Sequence, residues 1–253
     1  MTNSTVSDVS TITRIGHKEA MAIAAVENAK FGAMLRSLDD LDWSLPTDCE
    51  LWDVRALAAH VVGAAAAQAS PREFFRQKRL GKPIVAEIGG QYWWDGMNQL
   101  QVRDREQLTH PELLAEWEVI SVKAVKARVG LPRPIAALPL LALPEPVGRQ
   151  PLRYLFDVGF TRDVWAHRID IAQATGKDLD LDPDHDGRLL ADLIAEWAGT
   201  HGQPFVLHLS GPAGGTFESG NGGEHVEMDA IEFVRIIAER ADGPGILRHK
   251  LPL

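Results

Sequence analysis

From about Ile15 to Leu38, apolar residues recur at Ala22, Ile23, Val26, Phe31, Met34, Leu35 and Leu38. Spacings of three and four predict an amphipathic helix. The segment LDWSLPTDCELW interrupts that pattern, and Pro46 forbids its continuation. A second helix is expected from Asp53, a capping residue, to Ala69, where Ser70 and Pro71 end it. PREFFRQKRLGK predicts a short helix stopped at Gly81, and residues 90–107 and 111–129 predict two more, the latter opened by Pro111. Residues 131–151 carry six prolines, at 132, 134, 139, 144, 146 and 151, so no regular helix fits. The segment is too apolar for a solvated linker and predicts an ordered loop, of the kind that often covers a site.

A strong helical pattern then runs from about Tyr154 to Thr175 and stops at Gly176. The acidic connector KDLDLDPDHDG marks the expected domain boundary, with residues 1–177 before it and 178–253 after it. Beyond it the periodicity changes. Arg188 to Ala198 is helical, PFVLHLSG, GTFESG and HVEMD alternate as short strands between glycine turns, and Ala230 to Arg240 is helical again. ILRHKLPL fits a last strand, and the Ser/Thr-rich residues 1–13 are expected to fray. The predicted fold is mainly α: a four-helix bundle followed by a small α+β domain.

Composition narrows the function. The 253 residues carry 26 Lys+Arg against 35 Asp+Glu, a net charge of −9. Such a chain gains little from nucleic-acid phosphates or anionic membranes, so neither is an expected partner. No apolar run approaches the 18 residues or so of a membrane span. MTNSTVSDVSTITRIGHKEA lacks a signal-peptide core, and Cys49 is the one cysteine, so no internal disulfide can form. A reducing cytoplasm is the expected location, and a monomer or homodimer the expected state.

The chemistry concentrates on two helices. In the helix from Tyr154, the positions Phe156, Phe160, Val164, His167, Ile171 and Ala174 form the inward stripe, and Asp163 stands one turn before His167. D-x-x-x-H can aim an oxygen and a nitrogen at one divalent metal, or it can be an ordinary surface pair. His60 is the one titratable residue between Arg55 and Arg72, on a face otherwise of Leu, Val and Ala. It is either a core histidine bonded to a carbonyl or a ligand from a facing helix. Bundles build metal sites from facing helices, and His60, Asp163 and His167 together leave open positions for water or substrate, the catalytic pattern. Asp170 is placed to support His167, or to bond Arg168 or a loop amide. Asp182, Asp184, Asp186 and Gly187 open like a calcium loop, but Leu193 occupies its twelfth position and Pro183 interrupts the ligands, so they read as linker and helix cap. Cys49 and the tryptophans Trp43, Trp52, Trp165 and Trp197 read as packing residues.

WSLPTDCELWDVRALAAHVV resembles the W-x-x-P-T-x-C-x-x-W-x-V-x-x-L-x-x-H segment of the DinB/YfiT-like superfamily, and more narrowly the mycothiol-dependent maleylpyruvate isomerase family. TRDVWAHRIDIAQATG resembles that family's metal helix, and FVRIIAERADG the close of its small domain. The resemblance implies a DinB-like bundle holding a zinc-type metal between His60, Asp163 and His167. It also implies an arginine for the substrate carboxylate at the position of Arg240; the plainer role for Arg240 is a solvated cation at a helix end. The isomerase has Glu where this chain has Asp163, which implies a related but different activity. The resemblance thus implies a mycothiol-dependent isomerase or thiol S-transferase. The alternative is a metal- or small-molecule-binding protein without catalysis.

Overall fold

The computed structural model describes residues 6–251. Its chain divides into two compact units. One takes in His17–Ala136 and Asp163–Leu179; the other takes in the chain up to Gly16, Ala137–Arg162, and the chain from Asp180 onward. The fold is mainly α, a helical unit and a smaller α+β unit. The sheet-bearing unit therefore includes residues 6–16 and 137–162, ahead of the acidic connector.

In the helical unit, α1 (His17–Ser37), α2 (Val54–Ala69), α3 (Pro71–Glu87), α4 (Trp93–Arg103) and α5 (His110–Val129) precede α6 (Phe160–Thr175), which supplies its residues from Asp163 onward. Local chemistry sets the starts. Asp53 accepts from the Ala56 amide at 2.7 Å ahead of α2, and Ser70 caps α3 with Pro71 in the first turn. Thr109 and Glu112 exchange backbone bonds as a capping box on α5. Gly176, at φ 66°, ends α6 as expected. Phe31, Leu35, Leu57, Val61, Leu113, Trp117, Val164 and Ile171 form the core. Nearly all of α2 is buried, which its run of Ala, Val and Gly allows.

The helix expected to stop at Gly81 continues to Glu87, through both Gly81 and Pro83. Gly81 serves packing instead. A Cβ on Gly96 of α4 would come 2.1 Å from the Gly81 carbonyl oxygen, so two bare backbones meet where α3 crosses α4. Glu27 of α1 and Arg168 of α6 form a two-pronged ion pair in the interior, Nε to Oε1 at 2.6 Å and Nη2 to Oε2 at 3.1 Å.

In the other unit, β1 (Val6–Asp8), β2 (Phe205–Ser210), β3 (Gly215–Ser219) and β4 (Glu224–Asp229) form one sheet in the order β1-β3-β2-β4. The β2–β3 pair is antiparallel, while β1 runs parallel to β3 and β4 parallel to β2. Residues 6–8 are thus a strand rather than a frayed end, and residues 1–5 lie outside the described residues. Trp197 of α7 (Asp186–His201) meets Phe205 and Phe233 at 5.1 and 5.3 Å between rings. Asp229 caps α8 (Ala230–Ile237). The expected last strand, residues 246–253, opens instead in a 3-10 turn, Gly245–Arg248, and residues 252–253 lie outside the described residues. The proline-rich stretch is ordered: a turn of helix at Arg133–Ala136, then Leu141–Ala142 paired with Arg149–Gln150. Arg162, 1% exposed, binds Asp192 at 2.7 Å and Glu196 at 2.8 Å, and Arg14 bonds the same two carboxylates.

Candidate metal centre

Three side chains singled out in the sequence converge inside the helical unit. His60 of α2 and His167 of α6 both turn Nε2 toward Asp163 Oδ1, at 3.7 and 3.5 Å. The three ligand atoms lie within 4.8 Å of one another. The imidazoles are buried, with centroids 5.1 Å apart and planes at 87°, while the Asp163 side chain keeps 24% of its exposure. Three donors on one point, with one of them reached by solvent, form a centre that a small ligand can enter.

The other ring nitrogens are occupied. His167 Nδ1 bonds Asp170 Oδ2 at 2.9 Å, and His60 Nδ1 bonds Gln101 Oε1 at 2.8 Å. Both acceptors take a proton from Nδ1, so Nε2 is the atom of each ring turned to Asp163: as N–H it can donate to that carboxylate, and without its proton it can ligate a cation. The separations also suit a cation. Two donors, each about 2.0–2.2 Å from a tetrahedral zinc, stand roughly 3.3–3.6 Å apart, close to the observed 3.5 and 3.7 Å.

Electrostatics point the same way. Burial opposes the charge on Asp163, but its polar contacts with His167 and then His60 prevail and hold its carboxyl well below the usual range. Burial likewise opposes the imidazolium of His167. Asp163, then Asp170 and Cys49, outweigh it and raise that ring well above its ordinary value. In the cation-free protein a proton therefore partly plays the part a metal would play. A cation bound there would have to displace it, and its affinity would then rise with pH.

Trp52, expected to be core packing, borders this centre. Its ring stacks on His60 at 4.8 Å and its Nε1 donates to Gln99 at 3.1 Å. Cys49, half-buried, places Sγ 3.7 Å from Asp170 Oδ2. Arg168, one of the partners the sequence left open for Asp170, is held by Glu27. Asp182 Oδ1 accepts from the Asp184 and His185 amides and Asp186 Oδ2 from the Asp182 amide, so these two acids close the turn ahead of α7; the expected acidic cap is not there, since His185 holds the N-cap position without a side-chain cap bond. Arg240 belongs to the α+β unit, three residues past the end of α8. Glu239 takes a left-handed turn at φ 64°, and Arg240 Nη1 donates to the Ala238 carbonyl at 2.7 Å.

A helical unit that aims two imidazoles and one carboxylate from facing helices at a point, alongside a small α+β unit, defines a class: a bundle with a candidate metal centre and a second domain. Residues 24–172 match the family described as the mycothiol maleylpyruvate isomerase N-terminal domain, and the chain belongs to that family. Two solved structures share the fold. The mycothiol-dependent maleylpyruvate isomerase aligns at TM-score 0.58 and 19% identity, over 91% of this chain and 94% of its own. A histidine-to-alanine mutant of that isomerase aligns at 0.57 and 18%, over 90% and 92%. No curated protein matches the chain.

Proposed function

We propose that this protein is a metal-dependent enzyme with mycothiol as its thiol cosubstrate, an isomerase or S-transferase acting on a small, carboxylate-bearing electrophile. The observation that carries the reading is the convergence of His60 Nε2, His167 Nε2 and Asp163 Oδ1, with both Nδ1 atoms already engaged. The residues fit a divalent metal, with zinc favoured by nitrogen and oxygen donors. Such a metal, when bound, supplies a Lewis-acid centre that lowers the pKa of a coordinated thiol.

The chain's own residues do the rest. Asp170 and Gln101 keep the two imidazoles in the ligating tautomer. Asp163 offsets one unit of the metal's charge, and its exposed edge leaves a side from which a thiol can approach. Trp52 covers the flank of His60 and limits water there. Arg240 is our choice for the substrate carboxylate, because its planar fork of donors matches one. Asp163 is one carbon shorter than the Glu expected in the isomerase, which favours a related electrophile over maleylpyruvate itself.

A reaction that needs a free thiol suits the reducing cytoplasm, and among the described residues no helix is long and apolar enough to cross a membrane. The test is to load the protein with zinc and follow mycothiol and a set of electrophiles, maleylpyruvate included. Isomerisation returns the thiol and transfer consumes one per turnover. Turnover that requires both metal and thiol supports the reading. Bound metal with no turnover on any electrophile would overturn it in favour of a non-catalytic binding protein.

A further inference from the structure

A chain of side-chain amides runs inward from His60. We propose that Gln101 is a positioning residue for the candidate metal centre, locking His60 with its proton on Nδ1, and that Gln77 and the Gly63 carbonyl dictate which way the Gln101 amide points. The role toward a metal rests on the reading above; the lock on the ring does not.

Donors and acceptors fix the direction of the relay. The Gly63 carbonyl can only accept, and Gln77 Nε2 reaches it at 3.0 Å. The same nitrogen reaches Glu73 Oε1 at 3.0 Å. The hydrogen bond from Arg76 holds the Glu73 carboxyl below its ordinary value, so it too only accepts. Both N–H groups of Gln77 are thereby used, and its Oε1 must face the next link. Gln101 Nε2 donates to that oxygen at 2.8 Å, which turns Gln101 Oε1 to His60 Nδ1, also at 2.8 Å. An amide oxygen cannot donate, so Nδ1 carries a proton, and Nε2 is the ring atom left to a cation on Asp163's side. Reversing any one amide would set oxygen against oxygen.

Burial makes the polarity binding. Gln77 is 0%, Gln101 2% and His60 3% exposed, so water does not stand in for a lost partner. The backbone makes room for the arrangement. Gly63 lies one turn after His60 on α2, and a Cβ there would come 2.4 Å from Gln101 Cβ. The two histidines are therefore supported differently, His167 by a carboxylate and His60 by a neutral amide. Gln101 fixes the ring without adding a negative charge beside the centre.

The experiment compares wild type with Gln101→Leu, Gln101→Glu and Gln77→Leu. In metal-free, 15N-labelled protein, the His60 nitrogen shifts report the tautomer. Competition with a chromogenic chelator then gives zinc affinity, and thermal melts show that each variant folds. Gln101→Leu is expected to lose the single tautomer and roughly 10–100-fold in zinc affinity, the usual effect of removing such a support. Gln101→Glu keeps an acceptor at Nδ1 and should keep the tautomer, but its second oxygen faces Gln77 Oε1 in the dry interior, so it should melt lower than wild type. Gln77→Leu frees the Gln101 amide to turn and should fall between Gln101→Leu and wild type. A folded Gln101→Leu with wild-type tautomer and wild-type zinc affinity would overturn the proposal, even if its melting temperature dropped. A wild type that takes up no zinc would overturn the metal reading, and the role of Gln101 toward a ligand with it; the tautomer data would still decide whether the relay sets the ring.

Discussion

Replacing Glu27 with Leu removes one half of an interior ion pair that ties α1 to α6, the helix that carries Asp163 and His167. Glu27 is 0% and Arg168 1% exposed, and the two share a pair of short contacts. Taking away the carboxylate strips a buried guanidinium of two charge-assisted hydrogen bonds, at about 1.5–3 kcal/mol each. Glu27→Gln keeps the shape and one neutral acceptor, and should cost less, about 1.5–3 kcal/mol. The companion double variant, Glu27→Leu with Arg168→Met, removes both charges and fills the space with methylenes. Buried pairs exchanged in this way are often neutral or better, so the double variant should recover most of the loss. Guanidinium unfolding curves read this from the midpoint, with the slope checked for constancy, and the four proteins close a double-mutant cycle. If Glu27→Leu costs under about 1 kcal/mol, or if the two single losses simply add, the pair is not the interior tie described here, since a real tie is strongly coupled.

Other consequences are as direct. Gly96→Ala sets a methyl 2.1 Å from the Gly81 carbonyl oxygen and should destabilise by about 1–3 kcal/mol despite the better helix former. Gly199→Ala, with nothing within 4 Å, should stabilise by about 0.5–1 kcal/mol; melting curves of both variants check the contrast. Burial, and then the nearby His249, push His201 down to about 4 from 6.5, so the unfolded chain binds its proton first as pH falls. Its contribution to stability is therefore complete above about 6.5 and is lost as pH falls toward about 4, and His201→Phe should flatten that part of a stability-versus-pH curve. Arg240→Lys and Arg240→Ala should lose roughly ten- to a hundredfold in kcat/KM on a carboxylate-bearing electrophile, with metal content unchanged; an equal loss on an uncharged electrophile would remove Arg240 from substrate recognition.

Much of this centre is written in local sequence. Asp163 and His167 are one helical turn apart, and His60 stands alone on an apolar face, so their chemistry is visible before any fold is known. The i+3 relation of Asp170 to His167 is equally local. Gln101 is different. It sits 41 residues from His60, within a helix already rich in polar residues, and only tertiary packing shows which glutamine meets the ring. The Gly81–Gly96 contact has the same character. Gly81 carries the residue type of a stop signal, and its use as a crossing point depends on another glycine 15 positions on. Val6–Asp8 is too short to show alternation, and it pairs with residues more than 200 positions away. Trp52 packs against the core as expected and also stacks on His60, a second contact that periodicity does not contain.

The central claim is that His60, Asp163 and His167 bind one divalent metal. The most direct measurement is elemental analysis of purified protein, wild type beside His60→Ala, His167→Ala and Asp163→Asn, after dialysis against metal-free buffer and reloading with zinc. The account predicts about one metal per wild-type chain, as for a single three-ligand site, loss of it in both alanine variants, and weakened retention in Asp163→Asn. Full metal content in His60→Ala and His167→Ala, or none in wild type after reloading, would contradict it.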